Sequence, residues 1–158
     1  MGFALSEIVL TSSAFQNLRA IPSQYTGEGS NVSPQLSWRN VPEDTREFAV
    51  VCHDPDAPLI TSVNYGFAHW TLYNIPGSVR TLSEATPDHT TGRNDFGELG
   101  YGGPMPPSGH GMHHYYFWIF ALDQELNLPV GLTMAELFEF IEPSVIAMNR
   151  LIGTYERQ

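Results

Sequence analysis

The amino-acid sequence predicts a mainly β protein of the sandwich or barrel class. The chain has 158 residues, a length typical of one domain. Its 14 glycines and 12 prolines are spread throughout, and short apolar runs lie between them. Short strands separated by frequent turns are typical of all-β sandwiches and barrels. We therefore expect a single domain covering residues 1–158.

Five apolar runs are predicted to be strands. FAVVC and YFWIFAL are nearly continuous, which predicts burial on both faces of the sheet. AHWTLYNIP alternates more and predicts one wetter face. The five runs are FALSEIVL at 3–10, QLSW at 35–38, EFAVVCHD at 47–54, FAHWTLYNI at 67–75 and YYFWIFAL at 115–122.

Helix signals occur only near the end of the chain. Thr133 and Glu136 fit a capping box, and apolar residues then recur at helical spacing up to residue 141. Pro143 disfavours helix at the preceding residue, so this helix should stop there. SVIAMNRLIG predicts a second short helix, with Ser144 as its cap and Gly153 as its terminator. Residues 77–114 show little regular pattern, and a loop region of that length is usually functional.

Charge and composition exclude several classes of protein. Seven arginines face seventeen acidic residues, giving a net charge of −10, and the chain has no lysine. Lysine-dependent phosphate loops and Schiff-base chemistry are therefore excluded. A negative field repels nucleic acids and anionic bilayers at long range, so we expect no nucleic-acid partner. An anionic ligand would need local donors inside a pocket.

Cysteine usage and hydropathy indicate a cytoplasmic protein. Cys52 is the single cysteine, so neither a disulfide framework nor a four-thiolate zinc site is possible within the chain. We interpret it as a small buried core residue, because Cys52 and His53 point to opposite faces of a strand and cannot easily pair. The longest apolar run is too short to span a bilayer, and no signal peptide is expected.

Three segments carry residues that could perform chemistry. HDPDAP, residues 53–58, follows a predicted strand, and its prolines would fix Asp54 and Asp56 in place. A simpler interpretation of this segment is an Asx turn that ends the strand and has no functional role. His69 lies inside a strand and is either a core residue or a functional one. Neither reading is excluded by the sequence.

The third segment is GGPMPPSGHGMHHY, residues 102–115. Its glycines permit close backbone approach and its prolines make it rigid, so its amides can be held toward an anion. If the strand starts at residue 113, His113 and Tyr115 share one face and His114 and Tyr116 the other, so that one His–Tyr pair would face the loop. A metal site on these histidines is disfavoured, because further ligands are not evident.

These segments in this order resemble the phosphatidylethanolamine-binding protein family. The quoted motifs are DPDAP, then HW…NIP, then GGP.PPSGHG.HHY.F.IFALD, and the resemblance extends to NVSPQLSW, GRNDFG and LIGTYER. It is closest to the bacterial and archaeal branch often described as Raf kinase inhibitor-like. The resemblance implies a Greek-key antiparallel β-sandwich with a few short peripheral helices and a small anion pocket.

The resemblance also implies which residues form that pocket. Its walls would be Asp54, His69, His113 and Tyr115, and Asp56 would support the turn. With His113 and Tyr115 facing the pocket, His110 and His114 should point elsewhere, towards solvent or neighbouring loops. Backbone of the Gly-Pro-rich loop would be added near Gly103, Met105 and Pro106. The Ala57–Pro58 bond is a candidate cis peptide.

Three positions depart from the family pattern. Met105 stands where relatives carry a small residue or Cys, which predicts a narrower pocket. His114 replaces an Arg and predicts a weaker structural ion pair. Ser144 stands where many relatives have a histidine, so no imidazole is supplied there.

The favoured function is binding of a small anion, such as phosphate or a phospholipid head group, without catalysis or a cofactor. Regulation of a protein partner, a kinase or a protease, is a second possibility that the family offers. The alternative is a hydrolase acting on a small phosphoester or ester through an Asp–His pair. Relatives occur as monomers and homodimers, and the sequence does not choose between them. We expect Asp54 to accept a hydrogen bond from His69 or a loop amide, and protonation of His69 and His113 to favour anions.

Overall fold

The computed structural model describes residues 3–56 and 66–158, and it shows a mainly β protein as predicted. The Ala57–Pro58 bond lies outside the described residues. The strands are β1 (Val9–Thr11), β2 (Arg19–Ala20), β3 (Leu36–Arg39), β4 (Glu47–Asp54), β5 (Phe67–Pro76), β6 (Thr81–Leu82), β7 (Thr90–Thr91), β8 (His113–Leu122) and β9 (Val145–Tyr155). Helix α1 is Met134–Ile141, and single 3₁₀ turns occupy Ser23–Tyr25 and Glu142–Ser144.

The strands form two sheets with a shared core. The large sheet has the order β2-β9-β8-β4-β5-β7 and the small one β1-β3-β6. Among the described residues, the strand pairings are antiparallel except that of β2 with β9. Buried residues of both sheets, such as Trp38 of β3 and Phe48 of β4, belong to one apolar cluster. Cys52 is fully buried in this cluster, as expected, and burial raises the pKa of its thiol well above the ordinary value.

The opposite face of the large sheet is covered mainly by α1 and the loop before it. Leu137 and Ile141 of α1 pack with Ala49 and Val51 of β4. This covering explains why FAVVC is buried on both faces. It also buries β5 at residues 68–73, so the wetter face that we expected for this strand is not found.

Helix α1 begins where the sequence predicts. The Thr133 side chain accepts from the Glu136 amide, and the Glu136 carboxylate accepts from the Thr133 amide, which completes the capping box. The helix gives way to a 3₁₀ turn at Glu142, directly before Pro143. Among the described residues, no helix is long and apolar enough to cross a bilayer.

The predicted second helix is wrong. Residues 145–155 form strand β9, which pairs with β8 from His113↔Tyr155 to Leu122↔Val145. Ser144 ends a 3₁₀ turn, and Gly153 lies inside the strand, with Ile21 and Phe15 close to its Cα. The apolar spacing of SVIAMNRLIG mimics a helix, but a long ladder with a distant strand outweighs local periodicity.

Candidate functional site

The main candidate residues come from three neighbouring strands of the large sheet. Asp54 ends β4, His69 lies in β5, and His113 and Tyr115 begin β8. Because β4 runs antiparallel to both neighbours, its last residues lie beside the first residues of β5 and β8. All four side chains are buried, and they form a cluster at this end of the sheet.

Asp54 is held by two hydrogen bonds. Its Oδ1 accepts the Asp56 amide at 2.8 Å, which is the Asx turn that the sequence allowed. Its Oδ2 lies 2.6 Å from Nδ1 of His113. We expected a hydrogen bond from His69 or a loop amide: the Asp56 amide is a loop amide, but the imidazole partner is His113 and not His69. Burial raises the pKa of the Asp54 carboxyl, and the hydrogen bond with His113 partly opposes that rise.

The Asp54 carboxylate fixes the orientation of His113. A carboxylate only accepts, so Nδ1 of His113 donates to it. This leaves Nε2 of His113 on the far side of the ring, 2.7 Å from Nδ1 of His110. We expected His110 to point elsewhere, but the two rings are in contact, with centroids 4.9 Å apart. The structure thus contains a chain of three groups, Asp54–His113–His110.

His69 is a neutral imidazole. Burial lowers its pKa to about 4, and the hydrogen bond between its Nδ1 and the Gly102 carbonyl, 2.6 Å long, opposes the shift. Because a carbonyl only accepts, Nδ1 carries the proton, and the neutral ring presents Nε2 as an acceptor. The expectation that His69 becomes charged and attracts anions is therefore wrong. It is suited to receive a proton-bearing oxygen or an ammonium group.

Tyr115 is a buried hydroxyl donor. Burial and the nearby Asp54 carboxylate raise the pKa of its phenol, so it stays protonated. Its ring lies edge-on to His69 at 5.2 Å and stacks on His113 at 6.4 Å. Its hydroxyl makes no hydrogen bond with any described residue. Among the described residues, the fully buried side-chain polar atoms without a partner belong to Thr45 and Thr71, so the Tyr115 hydroxyl is accessible to a bound molecule.

An aromatic wall, which sequence reasoning missed, stands beside His69. Phe67 lies 4.8 Å and Phe96 5.6 Å from the His69 ring, and the two phenyl rings contact each other at 4.7 Å. Phe67 is two residues before His69, so strand alternation was a signal for it. Phe96 comes from the irregular loop after β7, and its position depends on Asn94, whose Oδ1 accepts the Phe96 amide.

The first two glycines of the Gly-Pro-rich loop, Gly102 and Gly103, are required by close approach. A Cβ on Gly102 would fall 2.6 Å from the Phe96 ring, and one on Gly103 would collide with the Tyr25 carbonyl. Their amides bind other parts of the protein: Gly102 donates to the His69 carbonyl and Gly103 to Oδ1 of Asn31. The Gly103 amide is therefore not free for a ligand, contrary to expectation.

The remaining predicted residues lie around this cluster. Met105 is 41 % exposed and lies against Gly27. Pro106 is buried, and its carbonyl accepts from Arg157 at 3.4 Å. Asp56 accepts from both the amide and Nδ1 of His114, at 2.9 and 2.8 Å. The imidazole at 114 thus still reaches the acidic partner, and Asp56 supports the turn instead of facing the cluster.

The comparisons with known proteins agree with this fold. Residues 11–156 match the family model for phosphatidylethanolamine-binding protein. A UPF0098 protein of Pyrococcus abyssi is 41 % identical, and the alignment covers 100 % of this chain and 90 % of that one. A UPF0098 protein of Methanothermobacter thermautotrophicus is also 41 % identical, covering 94 % of this chain and 98 % of the other. The chain belongs to the phosphatidylethanolamine-binding protein family.

Solved structures of bacterial members are similar throughout. A putative phosphatidylethanolamine-binding protein homologue from Chlamydia trachomatis superposes with a TM-score of 0.88 at 36 % identity, covering 96 % of this chain and 98 % of that one. YbcL of Escherichia coli, described as a new member of the mammalian family, has a TM-score of 0.87 at 33 % identity, covering 97 % of this chain and 100 % of that one. The Greek-key connectivity stays a prediction.

Proposed function

We propose that this protein binds a small anion of the phosphate or phospholipid head-group type at the Asp54–His69–His113–Tyr115 cluster. The observation that carries the proposal is the Tyr115 hydroxyl, a donor that makes no hydrogen bond with any described residue although the residue as a whole is buried. It lies beside His113, whose Nε2 meets the exposed His110 ring and not a buried group. An anion that displaced His110 would meet the phenol as a donor and Nε2 of His113, which donates when the ring carries both protons.

The neutral His69 adds selectivity to this site. Its Nε2 accepts, so it favours a ligand that carries its own proton, such as a monoprotonated phosphate or an ammonium-bearing head group. The rings of Phe67 and Phe96 give the site an apolar wall on that side. Low local dielectric strengthens each hydrogen bond, which helps to offset the net charge of −10.

Titration calorimetry with phosphate and with glycerophosphoethanolamine tests this proposal. Wild type should bind both, whereas Tyr115→Phe should bind each about tenfold more weakly, the loss typical of a hydrogen bond to a charged group. His113→Ala should abolish binding. Equal affinity in wild type, Tyr115→Phe and His113→Ala would contradict the proposal.

The Asp54–His113 pair also favours hydrolysis as a second candidate. A buried carboxylate that orients an imidazole is an arrangement that activates water in many hydrolases. No activated nucleophile accompanies it among the described residues, so binding is the better-supported function. Turnover of 4-nitrophenyl phosphate or acetate that disappears in His113→Ala would favour hydrolysis.

Regulation of a kinase or protease through the pocket remains part of the proposal, and a pull-down unaffected by His113→Ala would contradict it.

A further inference from the structure

A second cavity lies on the other face of the large sheet. Side chains of β8 alternate, so Trp118 and Phe120 point away from the face that carries His113 and Tyr115. The cavity has a volume of about 200 Å³, and His53 is the polar member of an otherwise apolar lining. Its lining residues are Phe3, His53, Trp118, Phe120, Phe138 and Met148.

The walls of this cavity are mostly aromatic and mutually packed. Phe3 is edge-on to Phe120 at 5.6 Å and to Phe138 at 5.3 Å, and Trp118 stacks on Phe120 at 6.2 Å. The Trp118 indole N–H donates to Nε2 of His53 at 2.9 Å, which fixes the ring. An engineered apolar cavity of about 150 Å³ binds benzene, so this one has room for one aromatic ring or a short acyl chain.

A cation without an acidic partner among the described residues lies against Trp118, one wall of the cavity. The Arg150 guanidinium lies over the Trp118 ring at 5.5 Å and over the Tyr116 ring at 5.9 Å. It makes no ion pair or side-chain hydrogen bond with any residue that the structure describes. Acidic residues outnumber arginines by seventeen to seven, so pairing would have been easy to provide. Stacking occupies one face of the guanidinium and leaves its N–H groups able to bind a carboxylate through two hydrogen bonds.

We propose that this cavity binds a small amphiphilic carboxylate. The aromatic ring or short chain of the ligand fills the space beside Trp118, and the carboxylate of the ligand pairs with Arg150. Trp118 joins the two halves, because it both lines the cavity and carries the cation on its face. Local attraction by Arg150 offsets the repulsion that a protein of charge −10 exerts on an anion. This site does not depend on the anion site on the other face.

Nitrogen-15 NMR with 3-phenylpropanoate as the probe tests the proposal. The Trp118 indole N–H reports on the cavity, while those of Trp38 and Trp70, buried elsewhere, serve as internal references. We expect a saturable shift of the Trp118 signal alone. The uncharged analogue 3-phenylpropan-1-ol should bind at least about tenfold more weakly, because it lacks the charge-assisted hydrogen bonds.

Variants separate the carboxylate contact from general charge effects. Arg150→Gln should weaken the carboxylate at least about tenfold and leave the alcohol unchanged. Arg39→Gln removes the same charge from an exposed site and should change neither. Phosphate binding at the His113 site should be equal in wild type and Arg150→Gln, so failure of either proposal can be recognised separately.

Three outcomes would overturn the proposal. The first is the absence of a saturable Trp118 shift. The second is equal affinity for 3-phenylpropanoate in wild type and Arg150→Gln. The third is a dimer, detected by light scattering, that buries this face and that the probe does not dissociate, since a second copy would then be the occupant.

Discussion

Asp54 and Asp56 stand two residues apart, and each binds one histidine of the adjacent pair His113 and His114. The first pair is buried, with 3 % of each side chain exposed, whereas the second is 42 % and 43 % exposed. The same chemistry therefore has different consequences. When the aspartate is removed, a buried histidine loses its acceptor and cannot replace it with water, so the full cost of desolvating its N–H remains. An exposed histidine forms a hydrogen bond with water instead.

We predict that Asp54→Ala lowers the free energy of unfolding by about 1–3 kcal/mol, because the His113 N–H is left buried without an acceptor. Asp56→Ala is the matched control and should cost at most about 1 kcal/mol, as for exposed ion pairs. Urea denaturation at pH 7 measures both. Similar losses in the two variants would show that burial does not govern these pairs.

The neutral state of His69 predicts a pH dependence of stability. Burial lowers its folded pKa to about 4, below the ordinary 6.5, so the unfolded chain binds more protons between these values. The contribution of neutral His69 to the free energy of unfolding is fully present above pH 6.5 and is lost as the pH falls towards 4. Between pH 7 and pH 5 this loss should amount to about 2 kcal/mol.

His69→Gln removes that titration while keeping a polar side chain of similar length. The difference in unfolding free energy between pH 7 and pH 5 should shrink by the same amount in this variant. Urea unfolding of both proteins at the two pH values is the measurement. Parallel pH profiles would mean that His69 does not stay neutral in the fold.

At the scale of elements, the sequence predicted the strands and helix that local residue patterns determine. It did not predict the features that depend on pairing between distant segments. The bounds of β4 and the capping box of α1 were predictable because apolar runs and cap residues are read within a few positions. The strand at 145–155 was not, because its pairing with β8 joins segments far apart in the chain. The same reason explains the site: Asp54, His69 and His113 were identified, but the Asp54–His113 bond and Phe96 depend on tertiary contacts.

Gly153 shows what the β9 strand requires. A Cβ at this position would lie within 3 Å of the Ile21 side chain and of the Phe15 ring. Both of these side chains belong to the tightly packed apolar core. We predict that Gly153→Ala costs about 1–3 kcal/mol by overpacking. Thermal unfolding in a double-mutant cycle with Ile21→Val tests the cause, since the smaller side chain should recover part of the loss. If the two losses simply add, the Ile21 contact is not responsible.

For the molecule as a whole, the placement of its few cations matters. Arg157 joins three segments: its side chain reaches the Pro106 carbonyl at 3.4 Å and the Glu28 carboxylate at 3.5 Å, and its own carbonyl accepts the Gly109 amide. Tyr155 adds a hydrogen bond to Glu28. The end of the described chain thus ties the Gly-Pro-rich loop to the loop that carries Gly27 and Asn31.

This tie predicts that Arg157→Gln loosens the loop that holds His110 near His113. Hydrogen exchange of the Gly109 amide should become faster, and phosphate affinity should fall severalfold, because a mobile loop must be ordered on binding. Arg39→Gln changes the net charge equally and serves as the control for the long-range field. Two results together would contradict this prediction: equal weakening of phosphate binding in both variants, and unchanged exchange of the Gly109 amide. Arg157 would then affect phosphate affinity only through its charge, and the prolines and glycine contacts of the loop would hold it in place.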